Sequence, residues 1–348
     1  MQKSQCIMKK INLKYIAEEL NIAPSTVSKA LNGYFDVSAN TKKRVVDLAK
    51  SLNFSPNTQA AFLRTRKSKI IGVIIPHIRH TFFINVLKGI LDSAEKENYL
   101  IIVLKSNESY NREKELIEKL LKQNVDGIFI SLAQDTYDLK HLEDVKKAGA
   151  VLIQFDKISK MLESSKVLVN DRESGYLATE HLIKNGCRNI VHFRGPLLPQ
   201  VSIDRFLGYK NALEDYDLIY DPKKVIISNK MTDKEGFKLM NDFLSKKIDF
   251  DGVFSMSDYT AIGAIESLKK HNLLVPDDIK VIGFSNWLLT DKLTPSLSTV
   301  NQPGVLMGNK CFELFLKEVN SKKKKIEFKY EKKIFKTKLV IRESSSLK

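Results

Sequence analysis

Long apolar runs are missing from this sequence. None of its 348 residues sits in a stretch near the roughly 20 apolar residues that cross a bilayer, so no membrane-spanning helix is expected. The opening "MQKSQCIMKKINLKYIAEEL" lacks the apolar centre of a secretory signal, and export is not expected either. Cysteine is scarce. Cys6, Cys187 and Cys311 lie far apart, form no C-x-x-C and have no histidine at ligand spacing. That excludes a disulfide framework or zinc site and fits a reducing cytoplasm. Catalytic and cofactor signatures are also missing: there is no G-x-G-x-x-G, P-loop, G-x-S-x-G or H-E-x-x-H. Neither an enzyme nor a cofactor is expected.

Charge, by contrast, is abundant and uneven. The net formal charge is +16. Residues 1–69 carry 13 Lys and Arg against 4 Asp and Glu, and residues 321–338 carry 9 against 2, which accounts for all of it. A basic N-terminal piece on a neutral body suggests a polyanion-binding module fused to something else. The lysine run 322–325 reads as a solvated loop.

From Lys69 onward, short Val/Ile-rich runs alternate with amphipathic helical patterns. The runs are "KIIGVIIP", "LIIVLKS", "VDGIFISL", "AVLIQFD", "KVLVND", "RNIVHFRG", "KKVIISN", "DGVFSMS" and "IKVIGFS". They are too short for buried helices and predict parallel strands covered on both faces. Strand–helix alternation gives α/β sheets with right-handed crossovers, and nine strands exceed one typical sheet. We therefore expect two lobes. The polar pair Ser164–Ser165 is read as the first passage between them, and "SLSTVNQP", a helix to about Val319 and a final strand segment as a return to both. The expected boundaries are 1–10 for an N-terminal extension, 11–56 for a helical module, 57–68 for a linker and 69–345 for the body. Within the body, lobe 1 takes about 69–165 and 295–322, and lobe 2 about 166–292 and 323–343. A cleft between such lobes, at the carboxyl ends of parallel strands, is the default ligand site.

The N-terminal module carries the sharpest pattern. Leu13, Ile16, Ala17 and Leu20 form one apolar helix face, Asn21-Ile22-Ala23 makes a turn, and Pro24 suits the first turn of a second helix. That helix, Pro24–Leu31, exposes Ser25, Thr26, Ser28 and Lys29 before Asn32-Gly33 stops it. A third helix is N-capped by Ser38 or Thr41, with Val45, Leu48, Ala49 and Leu52 turned inward. Two short helices, a tight turn and small polar groups plus a cation on the second make a helix-turn-helix for duplex DNA.

The run "LKYIAEELNIAPSTVSKALNG…VSANTKKRVVDLAKSLNFSPNTQAAFLR" resembles the DNA-binding headpiece of the lactose-repressor/galactose-repressor family. The body supports the resemblance through "IGVIIP", "DGIFIS", "RFLGYKNAL", "IGAIESLKKHNLLVPDDIKVIGF" and "PSLSTVNQP". It implies an all-α helix-turn-helix headpiece and a two-lobed, periplasmic-binding-protein-like α/β body with two doubly wound parallel sheets. Met8-Lys9-Lys10 matches the usual family start. For DNA contact the resemblance implies Pro24, Ser25, Thr26, Ser28, Lys29 and Asn32, with Asn57, Ala60, Leu63 and Arg64 on a hinge helix. Leu63 would wedge into the minor groove at the operator centre, as apolar wedges do when they kink a duplex. Lys29 stands where arginine is usual, so a bidentate guanine contact becomes a point-charge contact.

For the cleft, the expected contacts follow the strands: His77, His80, Phe82, Asp156, Arg205, Asp258, Ser285, Asn286 and Trp287. His77 and His80 read as a pocket rim rather than a metal pair, and Asp171 as a helix cap rather than a catalytic carboxylate. In sugar-responsive relatives the arginine matching Arg205 bridges ligand hydroxyls and an acidic pair often follows "VIGF". Here that pair is Ser285-Asn286, which makes an anionic sugar acid more admissible. The expected protein is a cytoplasmic, homodimeric transcription regulator, a repressor of a pseudo-palindromic operator, under a sugar-type effector. The alternative is a sugar-binding transport protein, which leaves the headpiece unexplained.

Overall fold

The computed structural model describes residues 11–31, 33–54 and 67–346. Contacts divide the chain into two units, Met1–Ser68 and Lys69–Lys348.

The first unit is the expected three-helix module. Helix α1 (Leu13–Leu20) begins where the Asn12 side chain accepts from the Tyr15 amide at 2.9 Å. It ends on Asn21, which takes the left-handed conformation (φ 54°) that asparagine tolerates better than most residues. Helix α2 (Pro24–Leu31) has the predicted bounds. Helix α3 (Ala39–Ser51) is capped by Ser38, whose hydroxyl accepts from the Thr41 amide. The apolar faces of all three meet in one small core of Ile16, Ala17, Val27, Ala30, Val37, Val45 and Ala49. Leu13, Leu20, Leu48 and Leu52 pack around it.

In the second unit all nine expected runs are strands: β1 (Ile70–Ile75), β2 (Leu100–Lys105), β3 (Gly127–Ile130), β4 (Val151–Phe155), β5 (Ser165–Val169), β6 (Ile190–Arg194), β7 (Val225–Ile227), β8 (Gly252–Ser255) and β9 (Lys280–Phe284). Three more follow: β10 (Ser298–Asn301), β11 (Lys332–Phe335) and β12 (Lys338–Val340). One sheet has the order β11-β5-β4-β3-β1-β2, the other β12-β10-β9-β8-β6-β7. Every pairing is parallel except β10 with β12. Helices α4 (Thr81–Lys96), α5 (Tyr110–Lys122), α6 (Lys140–Lys147) and α11 (Gly304–Lys324) belong to the first lobe. Helices α7 (Asp171–Lys184), α8 (Gln200–Asp215), α9 (Asp233–Leu244) and α10 (Asp258–Lys270) cover the second.

The chain passes between lobes three times, at places that differ from the expected ones. Strand β5 stays in the first sheet, so the first passage follows Asn170 rather than Ser165. Ser165 looked like a linker residue but is fully buried, its alternation belonging to a strand between β4 and β11. Strand β10 belongs to the second sheet, not the first, and the return comes at Gln302-Pro303. The last passage lies between β11 and β12, at Lys336-Thr337, rather than at residue 322. Sheet membership is a matter of long-range pairing, which local pattern does not carry.

One close approach positions the cleft. A Cβ on Gly208 would lie 2.1 Å from the Arg172 carbonyl, and one on Gly175 2.4 Å from the Arg205 carbonyl. Only glycine at both positions lets the backbones of α7 and α8 touch, and this contact sets Arg205 beside Asp171.

Candidate functional site

In the headpiece, Pro24, Ser25 and Lys29 are exposed, while Thr26 and Ser28 are half-buried, on the side of α2 away from Val27 and Ala30. The Lys29 ammonium is not a bare cation: it pairs with the Asp36 carboxylate just past the helix. That pair lowers the Asp36 pKa. Asn32, Asn57, Ala60, Leu63 and Arg64 lie outside the described residues.

The body holds a cleft at the carboxyl ends of strands from both lobes, the usual place for a ligand site in such sheets. Five of the expected residues line it: His80, Phe82, Asp156, Arg205 and Ser285. His80 and Phe82 come from the start of α4, Asp156 from the end of β4, Arg205 from the second turn of α8, and Ser285 from the end of β9.

Arg205 is 5% exposed and fixed on three sides. Its Nε donates to Asp171 at 2.8 Å, its Nη1 donates to the Met256 carbonyl at 3.1 Å, and its guanidinium carbon lies 3.6 Å from the Phe284 ring centroid. Asp171 is therefore not the expected cap. Asn170 caps α7 by accepting from the Glu173 amide, and Asp171 behind it orients Arg205. Burial pushes the Asp171 carboxyl up to about 6, against the pull of Arg205. Asp156, with a left-handed backbone (φ 57°), accepts from the Ser131 hydroxyl at 3.2 Å. Burial also raises its pKa.

The remaining four expected residues do not line this cleft. Asp258 is buried and spends its carboxylate on the protein: it accepts from the Trp287 amide at 2.7 Å and the Thr299 hydroxyl at 2.6 Å. Its carboxyl is pushed up to about 6 by burial. The Asn286 amide oxygen accepts from Arg342 at 2.9 Å while its nitrogen donates to Asn301 at 3.2 Å, so it locks the loop after β9. Trp287 stacks at a tilt on Tyr259 and helps line a separate small pocket, which shares His80, Ser257 and Ser285 with the cleft. His77 stands behind His80, ring centroids 6.3 Å apart. Short polar residues after a strand look alike in sequence whether they face ligand or lock a loop.

The sequence reading missed Glu108, Gln134 and Lys157 on the lobe 1 wall and Ser202, Ser257 and Gln302 facing them. Glu108 and Lys157 form a close ion pair, the Lys157 ammonium reaching both carboxylate oxygens at 2.5 and 2.6 Å. The only signal for either was its place just after a strand.

At one edge of the cleft the lobes touch. The Tyr259 hydroxyl of lobe 2 donates to the Arg79 carbonyl at 3.0 Å, its ring meets His80 edge-on with centroids 5.1 Å apart, and the Leu288 amide donates to the Thr81 hydroxyl at 3.1 Å. Burial pushes the His80 pKa down to about 3, so the imidazole here is neutral.

Two family models match the chain. One, described as bacterial regulatory proteins of the lacI family, covers residues 12–57; the other, a periplasmic binding protein domain, covers residues 71–323. The chain belongs to the lacI family. Among relatives, an HTH-type transcriptional regulator, RegA of Clostridium saccharobutylicum, is 30% identical over 89% of this chain and 93% of its own length. Among solved structures, the lac repressor dimer bound to operator and an anti-inducer has a TM-score of 0.83 over 97% of this chain and 99% of that one, at 22% identity, and shares the fold. A lacI-family transcriptional regulator from Enterococcus faecium, solved with bound ribose, is 26% identical with a TM-score of 0.70, over 80% of this chain and all of that one. As a member of the lacI family, the chain is a DNA-binding transcriptional regulator and not an enzyme. Among the described residues no helix is long and apolar enough to cross a membrane, and Cys187 and Cys311 are buried and free.

Proposed function

We propose that this chain is a cytoplasmic repressor that binds a pseudo-palindromic operator as a homodimer and whose operator affinity is set by a small hydroxylated effector in the interlobe cleft. The observation that carries this reading is the cleft itself: polar groups from both lobes converge on it, so a bound molecule bridges two lobes that the chain connects by three passages. The family member solved with ribose supports a sugar-like effector. A ligand shifts the balance between lobe orientations only by its differential affinity for them, typically about 1–3 kcal/mol. Helix α2 would enter the major groove with Ser25, Thr26, Ser28 and Lys29 at base edges, Lys29 exchanging Asp36 for DNA. One short helix with so few reading positions specifies too few bases alone, so two half-sites are required. Leu63 would supply the minor-groove wedge.

The test is binding-site selection from a random duplex pool, followed by gel shifts with and without candidate effectors. The selected site should be a pseudo-palindrome. Leu63→Ala should weaken it by roughly a few kcal/mol while salt-sensitive non-specific binding persists. An unchanged affinity would remove Leu63 from the interface, and a sugar that binds without altering the shift would remove the effector role. The transport-protein alternative leaves residues 12–57 without a purpose.

A further inference from the structure

The cleft holds its cations in an unusual state: each already has its own carboxylate. Lys157 is 6% exposed and sits in the fork of Glu108. Glu108 also accepts from the backbone N–H of Gln134 at 2.9 Å, which fixes the pair to the lobe 1 wall. Arg205 on the opposite wall is held by Asp171. Asp156 is a third carboxylate, buried between them without a cation of its own within salt-bridge distance among the described residues. An incoming carboxylate or phosphate would therefore meet the acidic side chains of Glu108 and Asp156 and two cations that already have carboxylate partners. Burying a charge without a free counter-charge is strongly unfavourable.

Four polar atoms on the cleft-lining side chains point to the opposite kind of ligand. Gln134 Oε1, Gln302 Nε2, Ser202 Oγ and Ser257 Oγ are buried and have no hydrogen-bond partner among the described residues. Gln302 is oriented by the Ser285 hydroxyl, which donates to its Oε1 at 3.0 Å and leaves Nε2 as a donor. The set thus mixes donors and acceptors. A hydroxyl both donates and accepts, so a hydroxylated ligand suits donors and acceptors alike, whereas the oxygens of an ionised carboxylate or phosphate only accept. Phe82, Phe83 and Met256 supply apolar surface for the C–H face of a ring.

We propose that the Glu108–Lys157 pair makes this cleft a charge filter: its ligand is a small, uncharged, multiply hydroxylated molecule, and the phosphorylated or carboxylated forms of the same molecule are rejected. This rests on the effector reading above and narrows it. It also reverses the expectation drawn from Ser285-Asn286. The acidic pair missing after β9 is replaced by carboxylates contributed from the ends of β2 and β4.

The test uses the full chain in thermal-shift and calorimetric titrations against matched pairs: ribose and ribose 5-phosphate, glucose and glucose 6-phosphate, galactose and galacturonate, with inorganic phosphate as a separate probe. The wild type should bind at least one neutral member, its charged partner about tenfold or more weaker, and should ignore inorganic phosphate at the cleft. Glu108→Gln keeps the acceptor for the backbone N–H of Gln134 but releases Lys157. It should gain stabilisation by inorganic phosphate and by the sugar phosphates, and the double variant Glu108→Gln/Lys157→Met should lose it again. The double variant separates cleft binding from phosphate on the basic headpiece. A wild type that prefers a charged member over its neutral partner overturns the filter. So does a folded Glu108→Gln protein, judged by circular dichroism, whose response to phosphate is unchanged, even when no neutral sugar in the panel binds. A neutral sugar that binds but leaves the operator gel shift unaltered supports the filter and refutes the effector role instead.

Discussion

Arg205 is the residue on which structure and ligand binding are hardest to separate. Its guanidinium is the largest donor in the cleft, yet the same group neutralises buried Asp171 and packs on Phe284. Truncating one partner of a buried pair leaves the other charged and unpaired, typically at a cost of about 3–5 kcal/mol. Arg205→Ala should therefore lower the unfolding free energy of the body by about that much, and any lost effector response would be confounded with it. Replacing both partners with apolar groups of similar volume removes the orphaned charge. Arg205→Met/Asp171→Leu should regain most of the loss while still failing to respond to effector. Urea unfolding of the three proteins checks this, and a single variant within about 1 kcal/mol of wild type would show that the pair is not what holds α7 and α8 together at the cleft. The arginine was legible in the sequence because it opens the run "RFLGY", whose resemblance to sugar-responsive relatives implied a ligand contact. Its partner was visible too, but as a cap. Nothing local tells a first-turn aspartate that caps from one that reaches an arginine 34 residues away. The same holds for Glu108 and Lys157, 49 residues apart and joined only by the adjacency of strand ends.

Among the elements, the segment from Arg79 to Thr81 at the start of α4 does the work of a latch, because all three residues meet lobe 2. Burial, with the positive charges of Arg79, His77 and Lys157 nearby, disfavours a proton on His80 where it meets the Tyr259 ring. The closed arrangement therefore binds neutral imidazole, with a pKa far below the ordinary 6.5. Where the open form takes up the proton more readily, closure releases it, so closure gains strength as pH rises and is complete above about 6.5. The His80 contribution to effector affinity should be flat above that pH and weaken below it, by at most tenfold per unit because one proton is linked. Calorimetric titration between about pH 5 and 7.5 reads this directly. His80→Gln should remove the imidazole's share of the slope and leave that of the Asp171 carboxyl at about 6; a profile unchanged by the substitution would mean that His80 is not linked to closure. The elements themselves were well forecast, all nine runs becoming strands, because a buried parallel strand is short, β-branched and continuous. The lobe boundaries were not, since Ser165 reads as polar linker and only its neighbours β4 and β11 show it to be core.

At the scale of the whole molecule, the two units have separate cores. Seven small side chains from Ile16 to Ala49 hold the headpiece together, whereas the body packs four large clusters on the faces of two sheets. A core built from so few residues is marginal by surface-to-volume scaling, while a body of this size buries most of its apolar surface. The units should therefore unfold in separate calorimetric transitions, the headpiece first. Each ligand should then move only the transition of the unit it binds. An effector at about 100 times its Kd adds about 2.7 kcal/mol to the body alone, which for a domain of this size raises its midpoint by roughly 5 °C. Operator DNA should raise the headpiece transition and leave the body's nearly in place. With both ligands present, reciprocity requires any effector that lowers operator affinity to lower the headpiece midpoint measured with DNA, by the same coupling free energy that DNA exerts on effector binding. A single transition shifted equally by either ligand would mean that the headpiece has no independent stability. Its core would then be completed by the body, and regulation would act on headpiece folding rather than on its placement.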